Sequence, residues 1–301
     1  GGNLFGKLTA LLASVPDAAI IVIVETHLPG DGQAPSVPGY RVWHQCRTGA
    51  LRRSGGVAVL VREGLPLRAG MWQPPGQPRS PAPHHMWVRL DGPLFSSPLF
   101  LAAAYLPPYR SKYGCNSPAE LTDYFTLLGD EAAAALATPG GAHVLLAGDF
   151  NGHTASEPDS ADHSELLWAA YDHSGEWGEE VLLPCADPAA AAPAPRTSTC
   201  NAAVSEQGRA LLQLCQATGL LIANGRLPGD QPAQPTFHSG SVIDYFVASP
   251  SLLQAASLQV LPPVPEYQQH HPLALQLAPP AAAAAGAAGR ADPESEGCGP
   301  A

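Results

Sequence analysis

Several apolar runs in this chain end at a carboxylate, and that pattern restricts the fold more than any other feature. AAIIVIVE (18–25) and HVLLAGDF (143–150) are β-branched or leucine-rich with no charge before the closing acid. A strand that is apolar on both faces must be covered on both faces, so each run reads as a strand inside a layered sheet. The acid then emerges at a sheet edge, where it costs the strand little. GGVAVLVREG (55–64), MWVRL (86–90) and LFLAAAYLPP (99–108) read as further strands, the last stopped by its prolines. LLIANGR (220–226), PTFHSGSVIDYFVAS (235–249) and LALQL (273–277) read as closing strands. Three segments have helical spacing instead: KLTALLASV (7–15), SPAELTDYFTLLGDEAAAALA (117–137) and GRALLQLCQATG (208–219). The second opens with Ser and Pro and the third closes on Gly, which are start and stop signals. Strands adjacent in sequence imply antiparallel pairs. The chain therefore reads as an α/β protein with mixed sheets in layers.

Charge and cysteine usage narrow the partners. The net charge is −11, but residues 1–120 hold eleven Lys/Arg against six Asp/Glu, while residues 121–301 hold four against twenty. Such a chain does not bind polyanions through its overall field, so any nucleic-acid contact is local and falls to the N-terminal half. From Glu157 to Asp187 there are nine acids and no Lys or Arg, which reads as a solvated excursion from the surface. The six cysteines form no CxxC pair and no zinc-like spacing, so they read as free thiols in a reducing, intracellular compartment. No apolar stretch reaches the ~18 residues that span a membrane. Residues 279–301 are Ala-, Pro- and Gly-rich and read as a disordered tail behind one domain at 1–278. The sequence opens in mid-pattern and reads as truncated at its N-terminal edge.

Polar groups recur where strands end: Glu25, Tyr105, Asp149 with Asn151, and Asp244, with His270 and His271 before the last strand. If 149–151 continue the strand, Asp149 and Asn151 share a face while Phe150 points into the core. Carboxylates beside an amide suit a hard divalent ion such as Mg²⁺. An ion next to a His–Asp pair suits hydrolysis of a phosphate ester, with a phosphodiester as the natural substrate.

At these residues the chain resembles the endonuclease/exonuclease/phosphatase superfamily, which includes deoxyribonuclease I. The matching segments are IIVIVETHL (20–28), GGVAVLVR (55–62), AAAYLPPY (102–109), LLAGDFNGH (145–153), GSVIDYFVAS (240–249) and QHHPLAL (269–275). ETHL and the PTF…SVIDYF segment look most like the endonuclease domains of non-LTR, LINE-type retrotransposons. The resemblance implies two mixed β-sheets packed as a sandwich with helices outside, the four-layer deoxyribonuclease I-like fold. It implies Glu25 as the principal ligand of one Mg²⁺, with Mn²⁺ as an alternative. Asp149 would position or deprotonate the attacking water, and Asn151 would bind the water or the phosphate. Asp244 would hold His270, which would contact the scissile phosphate, and Tyr105 would donate to a phosphate oxygen. Either Asp149 or His270 serves as the base. The implied substrate is DNA, nicked for insertion in the nucleus, with a reverse transcriptase downstream. A phosphatase acting on a small phosphorylated molecule, or a decayed domain kept as a binding scaffold, is the alternative.

Two departures from the family pattern bear on activity. Asn3 is a poor substitute for an Asn expected before residue 1. Gln269 stands where the family has Asp before the histidine, a loss worth ~10²–10⁴-fold if that acid supports the site. Asp162-His163 and Asp172-His173 imitate the motif inside the acidic excursion and read as surface. His84, His85 and His153 read as surface or supporting residues. Arg52, Arg53 and Arg110 are candidate phosphate contacts, and Trp168 and Trp177 are candidate base-stacking residues.

Overall fold

In a computed structural model of the chain, residues 4–28, 35–46, 55–75, 84–160, 194–264 and 269–277 are described. Asn3, Arg52, Arg53, Trp168, Trp177, the Asp162-His163 and Asp172-His173 pairs and the 279–301 segment lie outside them.

Strands β1 (Ile20–Val24), β2 (Tyr40–Gln45) and β3 (Val57–Arg62) form an antiparallel sheet in the order β1-β3-β2. A second sheet holds β4 (Arg68–Trp72), β5 (His85–Asp91), β6 (Leu99–Tyr105), β7 (His143–Asp149), β8 (Leu221–Ile222) and β9 (Asp244–Ala248). Its order is β4-β5-β6-β7-β9-β8. Strands β10 (Ser257–Val260) and β11 (Leu273–Gln276) form an antiparallel pair. Only β6 and β7 are parallel among the described pairs, and helix α2 (Pro118–Leu136) connects them. A parallel pair needs such a crossover because a tight turn cannot reverse the chain twice.

The apolar faces explain the layering. Val57, Val59 and Val61 of β3 meet Val88, Leu90, Leu99, Leu101 and Leu145 between the sheets, with Ile20, Val22 and Val24 packed beside them. Ile21 and Ile23 face the other way and join Leu8 of helix α1 (Leu4–Ser14). On the far face of the larger sheet, Phe100, Ala102, Leu146 and Phe150 pack under α2 and α3 (Glu206–Thr218). The architecture is thus helix, sheet, sheet, helices, the α/β sandwich that the sequence implies. Ser117 caps α2 by accepting the Glu120 N–H at 3.2 Å, and Pro118 follows at the first helical position. Ser205 caps α3 in the same way, and Gly219 ends it at φ 71°. Among the described residues no helix is long and apolar enough to cross a membrane.

The structure corrects several sequence expectations. Residues 235–249 are not one strand: Asp244–Ala248 is, while the Thr236 and Phe237 N–H groups both donate to Ser241 O in a turn closed by Gly240 at φ 87°. Turn chemistry around Pro235 and Gly240 overrides the apolar run. LLIANGR shortens to Leu221–Ile222, because Gly225 takes φ 74° and turns the chain. β2, β4 and β10, which are short or rich in polar residues, carry too little apolar pattern to be read from sequence.

Candidate active site

The parallel β6–β7 pair sends two strand ends to one edge, where Tyr105 is the register partner of Asp149. β9 begins at that edge, and its first residue, Asp244, pairs with Asp149 from the other side. Close approach of β7 to β6 requires Gly148, since a Cβ there would lie 1.8 Å from Ala104 O. Asp149 is 2 % exposed.

Asp149 and Asn151 do come together, but not by strand alternation. β7 ends at Asp149, and Asn151 sits in the left-handed region at φ 47°. That turn lets the Asn151 backbone N–H donate to Asp149 Oδ1 at 2.8 Å, while Asn151 Nδ2 donates to Asp149 Oδ2 at 2.9 Å and to Leu106 O at 3.0 Å. Asn tolerates this conformation better than most residues, and it is a conformation held where surroundings enforce it. Phe150 between them is fully buried, as the sequence implied.

Glu25 follows β1 and is likewise left-handed, at φ 53°, as is His27 at φ 51°. The backbone N–H groups of Thr26 and His27 donate to Gly56 O and Gly55 O at 3.1 and 2.9 Å. A Cβ at Gly56 would lie 2.6 Å from Thr26 Oγ1, so this turn needs the glycine. The Tyr105 hydroxyl donates to Glu25 Oε1.

His270 Nδ1 lies 3.0 Å from Asp244 Oδ2, and the Phe237 ring stands edge-on to the imidazole at 4.8 Å between centroids. Thr236, fully buried, joins these two partners, a role that the sequence analysis missed. Its Oγ1 accepts the N–H groups of Ile243 and Asp244 at 3.0 and 3.1 Å, and its carbonyl accepts the His271 N–H at 2.8 Å. Asn224 was missed as well. Its side chain donates to Asp244 O at 3.2 Å and accepts the Phe246 N–H at 3.1 Å. Gln207 does the same for the neighbouring loops, donating to Pro107 O and Phe150 O at 3.1 Å each. A lone Thr, Asn or Gln carries no spacing signal, although Thr236 lies inside a segment that the family resemblance already marks. Gln269 is exposed, and its carbonyl accepts the His238 N–H at 2.8 Å; Asp244 is the acid on His270.

Glu25, Asp149, Asp244, His270 and His271 border one cavity of about 260 Å³. Tyr105 and Asn151 reach it through Glu25 and Asp149. Arg110 is held over the Tyr109 ring at 5.1 Å, on the loop that follows β6. His153 lies in the loop after Asn151, and its N–H donates to Ser205 Oγ at 2.9 Å. His85, expected at the surface or as a supporting residue, is 6 % exposed beneath α2, paired with Glu131.

Burial pushes the Asp149 carboxyl well above its usual range, Asp244 and Glu25 add to this, and His270 and the Asn151 N–H oppose it. Burial alone would lower His270, but the Asp244 hydrogen bond and the charges of Asp244, Asp149 and Glu25 outweigh it and raise its pKa. Three carboxylates around one cavity, one of them driven towards its neutral form, make a donor set that fits a hard divalent cation. One oxygen or nitrogen atom from each of Asp149, Asp244 and His270 lies within 4.8 Å of the others.

Such a sandwich, with acids and a histidine gathered at one edge, defines a deoxyribonuclease I-like protein. The chain belongs to the Endonuclease/Exonuclease/phosphatase family, a group of hydrolytic nucleases and phosphatases that generally use divalent metals, and the family model matches residues 3–279. Among solved structures it is similar to the AP endonuclease LMAP from Leishmania major, at 15 % identity and a TM-score of 0.62, covering 92 % of this chain and 84 % of that one. It is similar to a variant of the 3′ phosphatase NExo from Neisseria, bound to product DNA hairpin, at 16 % identity and 0.53, covering 92 % and 96 %. The endonuclease domain of TRAS1, a telomere-specific non-LTR retrotransposon, matches at 14 % identity and 0.48, covering 92 % and 93 %. At these identities the likeness is one of fold. No curated protein matches the chain in sequence.

Proposed function

We propose that the chain is a divalent-metal-dependent phosphodiesterase, an endonuclease that nicks DNA. The observation that carries this reading is the meeting of Glu25, Asp149, Asp244 and His270, from four separate elements, at one cavity. Glu25 is the principal ligand of a single Mg²⁺, for which Mn²⁺ can substitute. Asp149, Asp244 and His270 could also enclose an ion. When bound, the ion neutralises charge that develops on the phosphate oxygens.

Asp149 is the base in this reading. Its raised pKa brings it closer to the operating pH, and the two bonds from Asn151 fix its direction. Asn151 has its amide nitrogen committed to Leu106 and Asp149, which leaves its oxygen to accept from the attacking water. His270, held by Asp244 and favoured in its cationic form, faces the scissile phosphate. Tyr105 donates to Glu25 in the free protein and would turn its one O–H to a phosphate oxygen in the bound state. Arg110 supplies local positive charge to the strand backbone.

ETHL and the PTF…SVIDYF segment support a role in non-LTR retrotransposition, in the nucleus, on DNA and joined to a downstream reverse transcriptase. The catalytic unit is residues 1–278, and limited proteolysis that removes 279–301 should leave nicking intact. The test is conversion of supercoiled plasmid to open circle, with and without Mg²⁺. Asp149→Ala and His270→Ala should abolish it, and nicking that survives both substitutions refutes the assignment. The net charge of −11 favours a second reading, a phosphatase on a small phosphorylated substrate. Phosphate release from such substrates without plasmid nicking would establish that one. An open reading frame downstream without reverse-transcriptase motifs would remove the retrotransposon context.

A further inference from the structure

A second cluster of charge lies buried behind the catalytic loops. It holds two guanidinium groups, Arg196 and Arg226, and one carboxylate, Asp159. Arg226 is fully matched. Its Nη2 and Nη1 donate to Asp159 Oδ1 and Oδ2 at 2.7 and 2.9 Å, and its Nε donates to Ala194 O at 2.8 Å. Asp159 Oδ2 also accepts the Ile222 N–H at 2.7 Å. The carboxylate is therefore committed to one of the two cations.

Arg196 meets only neutral acceptors. It is 7 % exposed, and its Nη2 donates to Thr154 Oγ1 at 2.9 Å and to Ala155 O at 2.7 Å. Its Nε and Nη1 are shut off from solvent and have no hydrogen-bond partner. The residue is held in place, because Thr197 donates its N–H to Gly225 O at 3.0 Å and accepts the Ala233 N–H at 2.9 Å. Burial pulls the Arg196 pKa down, and Asp159 opposes this only in part. Cys215 and Tyr245, which also act on it, are raised by their own burial and stay neutral. Among the described residues the cluster thus holds two cations and one anion. A guanidinium keeps its proton in a protein, so the excess positive charge remains. A water accepts its hydrogen bonds without cancelling its charge, and an unpaired buried charge is strongly destabilising.

We infer that Arg196 binds a small inorganic anion of the halide class, such as chloride, at the nitrogens that Thr154 and Ala155 leave open. Thr154, Tyr245 and Cys215 around it are all buried, which suits a monatomic ion better than a phosphate. The ion is a structural ligand. Arg196 closes the turn at Ala155, which is left-handed at φ 47° and needs its surroundings to hold it. Thr154 passes the contact on: its N–H and its hydroxyl donate to the Tyr245 hydroxyl at 3.3 and 3.2 Å, and that hydroxyl lies 2.9 Å from Gly152 O. Gly152 follows Asn151, and Tyr245 follows Asp244. The anion therefore secures, from behind, two of the segments that meet at the cavity.

The chloride dependence of stability tests this, independently of whether the protein cuts DNA. In chelator at neutral pH, chloride replaces gluconate at constant ionic strength. The thermal midpoint should rise by a few degrees for each tenfold increase in chloride above its dissociation constant, and bromide should act alike. Arg196→Met should have a midpoint that ignores chloride. If that variant folds poorly, a crystal of the unaltered chain grown in bromide answers the same question, with an anomalous peak expected beside Arg196. Three results overturn the inference: a midpoint of the unaltered chain indifferent to chloride, which would mean that a carboxylate of the chain or a water completes Arg196; a chloride response that survives in Arg196→Met; or bromide peaks confined to the surface. A chloride response in a chain that fails to nick plasmid would sink the proposed function and leave the anion site standing.

Discussion

The molecule contains two histidine–carboxylate pairs of the same chemistry in opposite settings. His270 and Asp244 sit at the mouth of the cavity, the histidine side chain 32 % exposed and its Nδ1 at 3.0 Å from the acid. His85 of β5 meets Glu131 on the buried face of α2 at 2.5 Å, the histidine side chain 5 % exposed, with Trp87 Nε1 donating to the same carboxylate oxygen at 2.7 Å. Tyr124 and the core around it wall in the second pair. One pair can meet a substrate and the other cannot. Hydrogen-bond geometry alone does not separate a working dyad from a structural one. What separates them here is access, together with the acids that crowd His270 and leave His85 alone.

Substitutions should pull the two pairs apart. His270→Ala is expected to lower plasmid nicking by ~10²–10⁴-fold while moving the thermal midpoint little, because the side chain is part-exposed. Glu131→Ala should do the reverse, destabilising the fold by about 3–5 kcal/mol in chemical denaturation, because it strands a buried histidine and the Trp87 N–H. Loss of nicking in Glu131→Ala under conditions where the protein remains folded would mean that the buried pair is coupled to the site.

The remaining tests sharpen the contrast. Asp149→Asn should abolish nicking yet raise the midpoint of the metal-free protein, by about 2–4 °C for each kcal/mol of charge repulsion relieved. Unchanged stability would show that the acid cluster is not strained. The pH response has one sign. His270 has a raised folded pKa, so its contribution is fully present below the ordinary histidine value and is lost as pH rises through the folded one. Asp149 is raised too, so its contribution fades from the ordinary carboxylate value upward. In chelator, the midpoint should therefore fall as pH rises from the ordinary carboxylate value, about 4, past the ordinary histidine value, about 6.5, and fall less in His270→Gln. Gln269→Asp should have the smallest effect on nicking, under about tenfold, because Asp244 already occupies the imidazole nitrogen. A gain above that would restore the expectation that position 269 matters.

Much of this arrangement was legible in the sequence, and the failures have definite causes. Strands with a long apolar run, such as β1, β3, β6 and β7, announced themselves, and the acids at the ends of β1 and β7 marked the edge where the site forms. The reason given for the Asp149–Asn151 spacing was wrong, because a left-handed turn and not an extending strand brings them together. A single φ value leaves no trace in the hydrophobic pattern. The burial of His85 went unread because two adjacent histidines look polar in sequence, and only the partner on α2, far along the chain, makes burial tolerable. Thr236 escaped for a similar reason. Its function lies in three hydrogen bonds to residues that are neighbours only after folding.

The register that sets Asp149 against Asp244, with Glu25 from near the start and His270 from near the end, also fixes when activity can appear. During synthesis the acids emerge long before the imidazole that completes them. On the function proposed above, a ribosome-bound chain halted before position 270 should be inert towards its substrate, however well its first sheet has formed. On that reading the site stays silent until β11, with the histidine that precedes it, is free to fold.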